Sequence, residues 1–433
     1  MLAQAVRHRV VVTGVGPITS IGSGKDAFWG AILAGRSGTR AIDLPWLSSR
    51  FRCRVGAPVD LPDLAPWGIG EQDARLLDPA TRLALGATWM ALEDAGLRPR
   101  LADDDTGRIV LDEVDLERAG VILGSGIGGI CTIERAHRSW TLGEPMTGAL
   151  RYSVPMLILN AIPAQAAIRL GFRGECKAVA TACASGTMAI GDAFRLIRDG
   201  ELDLAIAGGA DKTLADTDGF SLLGFELLST LSRRNDDPAG ASRPFDRGRD
   251  GFVMSEGAGV VVLESEAHAR ARSARVYCEL AGYGVTCDAH SMLQLDPAGD
   301  QVVRAMRGAL ESADLVPSDV GYVNAHGTAT RLNDPAESRA LHRVFARALA
   351  DVLVNSTKAM TGHAIGAAGG IEAIATVLSL ANGLVHRCVN LDDPDPECDL
   401  PLPRANTPLV RSAALSNSFG FGGHNAVLAL VRG

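Results

Sequence analysis

An α/β fold made of two similar halves is what this chain predicts, and three observations predict it. Short apolar strands alternate with helical segments from about Val10 to Val431, the pattern of a layered α/β protein. A natural division falls near residue 275, giving 1–275 and 276–433, and each half opens on a strand that ends in glycine. With 433 residues, 47% of them hydrophobic, the chain is long enough to bury a large core.

Residues 10–12 read as a strand closing on Thr13-Gly14-Val15-Gly16, and 26–33 as a short helix stopped by Gly35. Residues 36–70 and 98–115 read as loops. Between them, Pro79–Asp94 has proline at its start, apolar residues at 83, 85, 89, 90 and 92, and Gly96 beyond its end, which predicts a helix. The buried-type strand 119–123 runs into Gly124-Ser125-Gly126-Ile127-Gly128-Gly129. That spacing matches a dinucleotide loop, but no acidic residue ends a following strand about 20 residues on. The glycines read better as places where backbone passes close to backbone. Further on, 203–210 is a strand, 220–231 a helix, 260–263 a strand and 267–275 a basic helix. The second half gives strands at 276–285, 320–324 and 352–355, and helices at 301–313, 335–348 and 369–381. Two closing strands, 412–417 and 425–431, flank the glycine-rich Phe419-Gly-Phe421-Gly-Gly-His424.

Charge and cysteine usage narrow the function classes. Forty-two basic against fifty acidic residues give a net charge of −8, and no basic run is interleaved with aromatics, so nucleic acid is not the expected partner. Eight cysteines occur without a CxxC pair, which argues against a disulfide framework or a zinc site and for a reducing compartment. The start lacks a signal-peptide pattern. No apolar run approaches the roughly 18 residues of a membrane span. A soluble, cytoplasmic protein is expected.

One stretch carries chemistry: Lys177-Ala-Val-Ala-Thr-Ala-Cys183-Ala-Ser-Gly, a strand, a tight turn holding a thiol, then a helix start. The positive end of a helix favours the thiolate. By itself the stretch fits a packed small residue better than a nucleophile. Two of the nine histidines share the same kind of turn: His326 in Asn324-Ala-His-Gly-Thr328-Ala-Thr330, and His363 in Lys358-Ala-Met-Thr-Gly-His. Each alone fits a structural role. Together, a thiol, two imidazoles and a lysine are the equipment for thioester chemistry, the thiol taking an acyl group and neutral imidazoles donating to an enolate oxygen.

These stretches, with Ser242-Arg-Pro-Phe-Asp246 and Asn417-Ser-Phe-Gly-Phe421-Gly-Gly, run in family order over essentially the whole chain. The sequence thereby resembles the β-ketoacyl-[acyl-carrier-protein] synthases, most nearly the elongating type II group within the thiolase superfamily. The resemblance implies a thiolase-like five-layered αβαβα fold, usually a homodimer, although a heterodimer with a related subunit would suit the same fold. It also implies a Cys183, His326, His363 triad with Lys358 in electrostatic support and Glu372 as its structural partner. The oxyanion hole would be the N–H groups of Cys183 and Phe421. Thr328 and Thr330 would bind the phosphopantetheine arm of acyl carrier protein. Ile127, Phe225, Phe421 and Asp288 would line or gate the acyl pocket. No metal and no cofactor is implied.

Three departures stand out: His424 after the last glycine pair, Ala364 after the second histidine, and few basic residues at Glu71-Gln-Asp-Ala-Arg75. With Arg75 and Arg151 as the remaining candidates for carrier contact, a dedicated pathway partner is expected. The alternatives are a specialised polyketide or polyene ketosynthase and a non-catalytic chain-length subunit. Cys183 argues against the second. A degradative thiolase would place a second cysteine in the 419–425 loop, and an initiating synthase would have Asn in place of His363. Neither pattern is present.

Overall fold

The computed structural model describes residues 7–44, 47, 51–103, 107–145, 148–214 and 219–433; parts of the expected loops 36–70 and 98–115 lie outside them. Ten principal strands form one continuous sheet: β1 (Val10–Thr19), β2 (Ala119–Gly124), β3 (Cys176–Val179), β4 (Leu204–Asp211), β5 (Gly257–Ser265), β6 (Cys278–Cys287), β7 (Val320–Asn324), β8 (Leu353–Asn355), β9 (Ala413–Gly420) and β10 (His424–Val431). Their order is β8-β7-β9-β10-β6-β1-β5-β4-β2-β3, with the two-residue strand Gly22–Ser23 added to β1.

The two halves have the same wiring. In the first, β1, β5 and β4 pair antiparallel, then β4, β2 and β3 pair parallel. In the second, β6, β10 and β9 pair antiparallel, then β9, β7 and β8 pair parallel. The join is the antiparallel pairing of β1 with β6, three residues long. The duplication that the sequence suggested is thus explicit in the topology.

Among the described residues the helices of eight residues or more are α1 (Lys25–Ala34), α2 (Pro79–Asp94), α3 (Ile130–Thr141), α4 (Ala161–Leu170), α5 (Ser185–Arg198), α6 (Phe220–Leu227), α7 (Asp300–Ser312), α8 (Asn333–Phe345) and α9 (Ala368–Asn382). On one outer face α2 covers β1 and β5 while α4 covers β2 and β3. On the other, α7 covers β6 and β10, with α8 beside it. Between the two half-sheets lie α5, which reaches both, and α9, which packs on β5 and β9. This is the five-layered αβαβα arrangement. Every residue of α9 from Ala368 to Leu380 is buried, as suits a helix that is apolar on every side apart from Glu372, Thr376 and Ser379. The apolar window containing it, 365–382, is 89% buried inside the protein, so its hydropathy is that of a core helix.

Close packing of the central layer explains the glycines. A Cβ on Gly259 would come within 2.2 Å of Ile371 N, and one on Gly124 within 2.4 Å of the Ser185 carbonyl. The Gly124–Gly129 run therefore serves backbone approach, as the missing acidic residue implied.

Local propensity placed most elements and mislaid some ends. Pro79–Asp94 is helical over its full expected length, with Asp78 capping Ala80 N–H. The helix expected over 220–231 stops at Leu227, where Ser229 takes a left-handed φ of 55°. The helix expected over 267–275 is Glu266–Ala271, capped by Ser265. The first strand runs on to Thr19 past an irregularity between Val12 and Gly14. Helices α3 and α4 had no sequence expectation. Pro163 in the first turn of α4 disguises it, although proline is tolerated there.

Candidate active site

The working residues sit on the turns that leave the carboxyl ends of the parallel strands, where open α/β sheets place ligands. Cys183 follows β3 on a short 3₁₀ turn that precedes α5, and Ala182 before it has a φ of 50°. A left-handed non-glycine residue costs about 1–3 kcal/mol and persists only where its surroundings enforce it. Here Ser185 enforces it: its hydroxyl accepts from Thr181 N–H at 2.8 Å and donates to the Ala182 carbonyl at 2.7 Å.

His326 follows β7. The turn is fixed by the buried carboxylate of Glu337, which accepts from the N–H groups of His326 and Gly327, both at 2.8 Å, and from Asn417 Nδ2 at 3.1 Å. His363 follows β8 and the short helix Lys358–Thr361, with Ile365 just beyond at a φ of 51°.

The three side chains converge. His363 Nε2 lies 3.0 Å from Cys183 Sγ, and the rings of His363 and His326 stand edge to face with centroids 5.6 Å apart. Lys358 is fully buried beneath them. Its Nζ donates to the His326 carbonyl at 2.8 Å, lies 3.4 Å from His326 Nδ1, and pairs with Glu372 Oε1. An ammonium facing Nδ1 makes that nitrogen the acceptor, so the ring hydrogen resides on Nε2, facing the cavity side. The expected support of Lys358 and Glu372 is thus present as a buried ion pair.

Electrostatics corrects one expectation. Burial pushes the Cys183 thiol up to about 12, only partly opposed by Lys358 and by the hydrogen bond from the Phe421 N–H. The resting site holds a thiol, not the thiolate that a helix start favours. Desolvation in the assembled core outweighs the local dipole. Burial, and then the Lys358 charge, also hold His326 and His363 well below the ordinary imidazole range, so both rings are neutral at neutral pH. Burial pushes Glu372 up to about 7, with Lys358 opposing.

A cavity of about 310 Å³ opens over these groups, lined by Cys183, His326, His363, Thr328, Thr330, Phe225, Ile365 and Phe421 among others. Phe225 packs on Phe421 with ring centroids 6.1 Å apart. Two expected pocket residues are not among those lining this cavity. Ile127 is half-buried and is not among the residues lining this cavity; the Gly128–Gly129 backbone beside it packs against Leu157 and Leu159. Asp288 also stands off the wall. Its carboxylate accepts from Asn425 Nδ2 at 2.6 Å, and its N–H donates to the Gly423 carbonyl at 2.8 Å, so it braces the Phe421 loop from behind. Sequence reasoning missed Glu337, Ile365 and Phe419, whose ring lies 5.6 Å from that of His326. An acidic residue within the helix-forming stretch 333–345 was the one available signal, and it reads equally as solvent-exposed.

A thiol, two neutral imidazoles and an apolar cavity in a five-layered fold define a thiolase-type acyl-transfer site. Two family models match, "Beta-ketoacyl synthase, N-terminal domain" over residues 7–269 and "Beta-ketoacyl synthase, C-terminal domain" over residues 277–392. A 3-oxoacyl-[acyl-carrier-protein] synthase 2 from a Synechocystis species is 40% identical over 432 residues, covering 100% of both chains. The protein of the same name from Vibrio harveyi is 39% identical, covering 98% of this chain and 99% of that one. Among solved structures, a type II polyketide ketosynthase bound to a hexaketide in complex with its acyl-carrier protein superposes with a TM-score of 0.87 at 31% identity, covering 99% of this chain and 100% of that one. The ishigamide ketosynthase/chain length factor superposes with a TM-score of 0.85 at 31% identity over the same shares. The chain belongs to the β-ketoacyl synthase family.

Proposed function

We propose that the protein is an acyltransferase that extends an acyl chain by two carbons through decarboxylative Claisen condensation. The observation that carries this reading is the 3.0 Å contact of Cys183 Sγ with His363 Nε2, with the neutral His326 ring facing it across the cavity. In the first step Cys183 attacks the thioester of an acyl chain held on acyl carrier protein. Its proton passes by way of His363 Nε2 to the departing carrier thiol, and the N–H groups of Cys183 and Phe421 hold the oxyanion. Malonyl-carrier protein then loses carbon dioxide, and the Nε2–H of His326 binds the enolate oxygen, with the neutral His363 ring beside it. The carbanion attacks the acyl-cysteine thioester, releasing a β-ketoacyl-carrier product and a thiolate that takes up one proton. Loss of the carboxylate supplies the carbanion, so the cycle consumes no redox cofactor and needs no metal.

Thr328 and Thr330, on the cavity wall, suit the amide-rich phosphopantetheine arm. Phe225 and Phe421 gate the acyl end, with Asp288 holding the Phe421 loop. The pairing of the edge strand β3 on one side alone, together with exposed Trp140, Val154 and Ile168 on the neighbouring segments, supports a dimer formed through that face. The product enters fatty-acid or polyketide assembly. Arg75, exposed beside Glu71 and Asp73, and exposed Arg151 offer few cations to an acidic carrier, which favours a dedicated carrier in a specialised pathway.

Intact-mass spectrometry after exposure to a panel of acyl-carrier proteins tests the reading. One acyl adduct, on Cys183, is expected, with its mass reporting chain preference. Condensation by Cys183→Ala, or an adduct on another cysteine, would overturn it.

A further inference from the structure

Asp211, at the end of β4, is a buried carboxylate that the proposed reaction does not use. Four donors converge on it. Oδ1 accepts from Ser125 Oγ at 2.5 Å and from Ile127 N–H at 3.4 Å; Oδ2 accepts from Gly126 N–H at 2.8 Å and Gly366 N–H at 2.6 Å. The segments it gathers are those on which the site stands. Gly366 lies three residues beyond His363 and adjoins Ile365, which lines the cavity. Ser125 N–H donates to the carbonyl of Val179, the last residue of the strand before the nucleophile turn, at 3.1 Å. The Ser125 carbonyl lies 3.3 Å from Ser185 Oγ, the hydroxyl that fixes that turn. Ser125 Oγ in turn accepts from Gly128 N–H at 2.9 Å. The approach is close enough to require glycine, since a Cβ on Gly366 would come within 2.3 Å of Gly126 N and 2.7 Å of Asp211 Oδ2.

We infer that Asp211 is a positioning residue for the condensation, a single anchor that sets the Cys183 turn, the His363–Gly366 turn and the Ile365 wall relative to one another. The inference rests on the condensing-enzyme reading above. A carboxylate is needed because every neighbour is a donor: burial raises Asp211 to about 6, while the four hydrogen bonds oppose the rise. An amide presents one acceptor oxygen and an NH₂ group, so at least one of the backbone N–H groups loses its partner.

The test compares wild type, Asp211→Asn and Ser125→Ala with malonyl-carrier protein and acyl-carrier proteins of graded chain length. Asp211→Asn is expected to lower kcat tenfold or more with KM for malonyl-carrier protein unchanged, and to shift the preferred acyl length. Ser125→Ala keeps the carboxylate and removes one donor, so a shift in the same direction but severalfold smaller is expected. It remains informative if Asp211→Asn does not fold. Unaltered kcat and length preference in a folded variant would overturn the inference, as would losses tracking only the folded fraction. Failure of the wild type to condense at all would instead overturn the functional reading.

Discussion

The two halves of the molecule share one topology and divide the chemistry between them. Cys183 follows β3 in the first half and His363 follows β8 in the second, so nucleophile and imidazole occupy matching turns ahead of the matching buried helices α5 and α9. His326 follows β7, and its counterpart after β2 is the Ser125–Gly126 turn, which carries no catalytic group. Each of these latter turns is pinned by a buried carboxylate, Glu337 in one half and Asp211 in the other. A repeated fold supplies equivalent strand ends, and function is assigned by which side chain stands there.

The largest expected effect separates the two contributions. Cys183→Ala should lower condensation by at least about a thousandfold while malonyl decarboxylation persists, whereas His326→Ala should lose both. Parallel assays of carbon dioxide release and β-ketoacyl product would show it, and decarboxylation lost in both variants would erase the division.

Breaking the buried pair in the second half comes next. Lys358→Ala strands Glu372 inside the protein and should cost about 3 kcal/mol of stability, together with most of the activity. Denaturant unfolding of the variant beside Lys358→Ala/Glu372→Gln would check this, the double variant recovering stability but not turnover.

Buried neutral histidines cluster in the second half, and acid should expose them. Burial lowers His386 from its ordinary 6.5 to about 4. Between these values the unfolded chain binds a proton that the folded chain refuses, so this contribution is complete above pH 6.5 and is lost as pH falls. At pH 4.5 the loss is about 2.5 kcal/mol. Wild type should therefore lose about that much more stability than His386→Asn between pH 7 and pH 4.5, as measured by urea titration at each pH.

The smallest effect belongs to the surface. Arg75→Glu should change KM for carrier protein by less than about threefold at moderate salt, because one exposed charge among acidic neighbours contributes little. A tenfold rise would place the docking helix where the sequence resemblance expects it.

Much of the protein was legible without coordinates. Proline, apolar spacing and terminal glycine defined α2 to the residue, since those signals act within one or two helical turns. Cys183, His326, His363 and Lys358 were readable because each lies in a short motif of small residues whose order is distinctive. Ile127 and Asp288 show where such reasoning stops, because a motif does not say which way a loop packs. Glu337 and Asp211 were invisible for a related reason. Their importance comes from donors contributed by distant segments, Asn417 and Gly366 among them.

What the sequence determined by itself was the inventory: the alternation of strands and helices, the doubled architecture, and a thiol, two imidazoles and a lysine on turns. Local propensity and pattern act over a few residues and survive any later packing. What only the tertiary structure decided was the state and spacing of those groups. The 3.0 Å between Cys183 and His363 joins turns 180 residues apart. Burial in the assembled core makes the cysteine a thiol and the histidines neutral, reversing the local electrostatics of a helix start, because the cost of losing water exceeds the pull of one dipole.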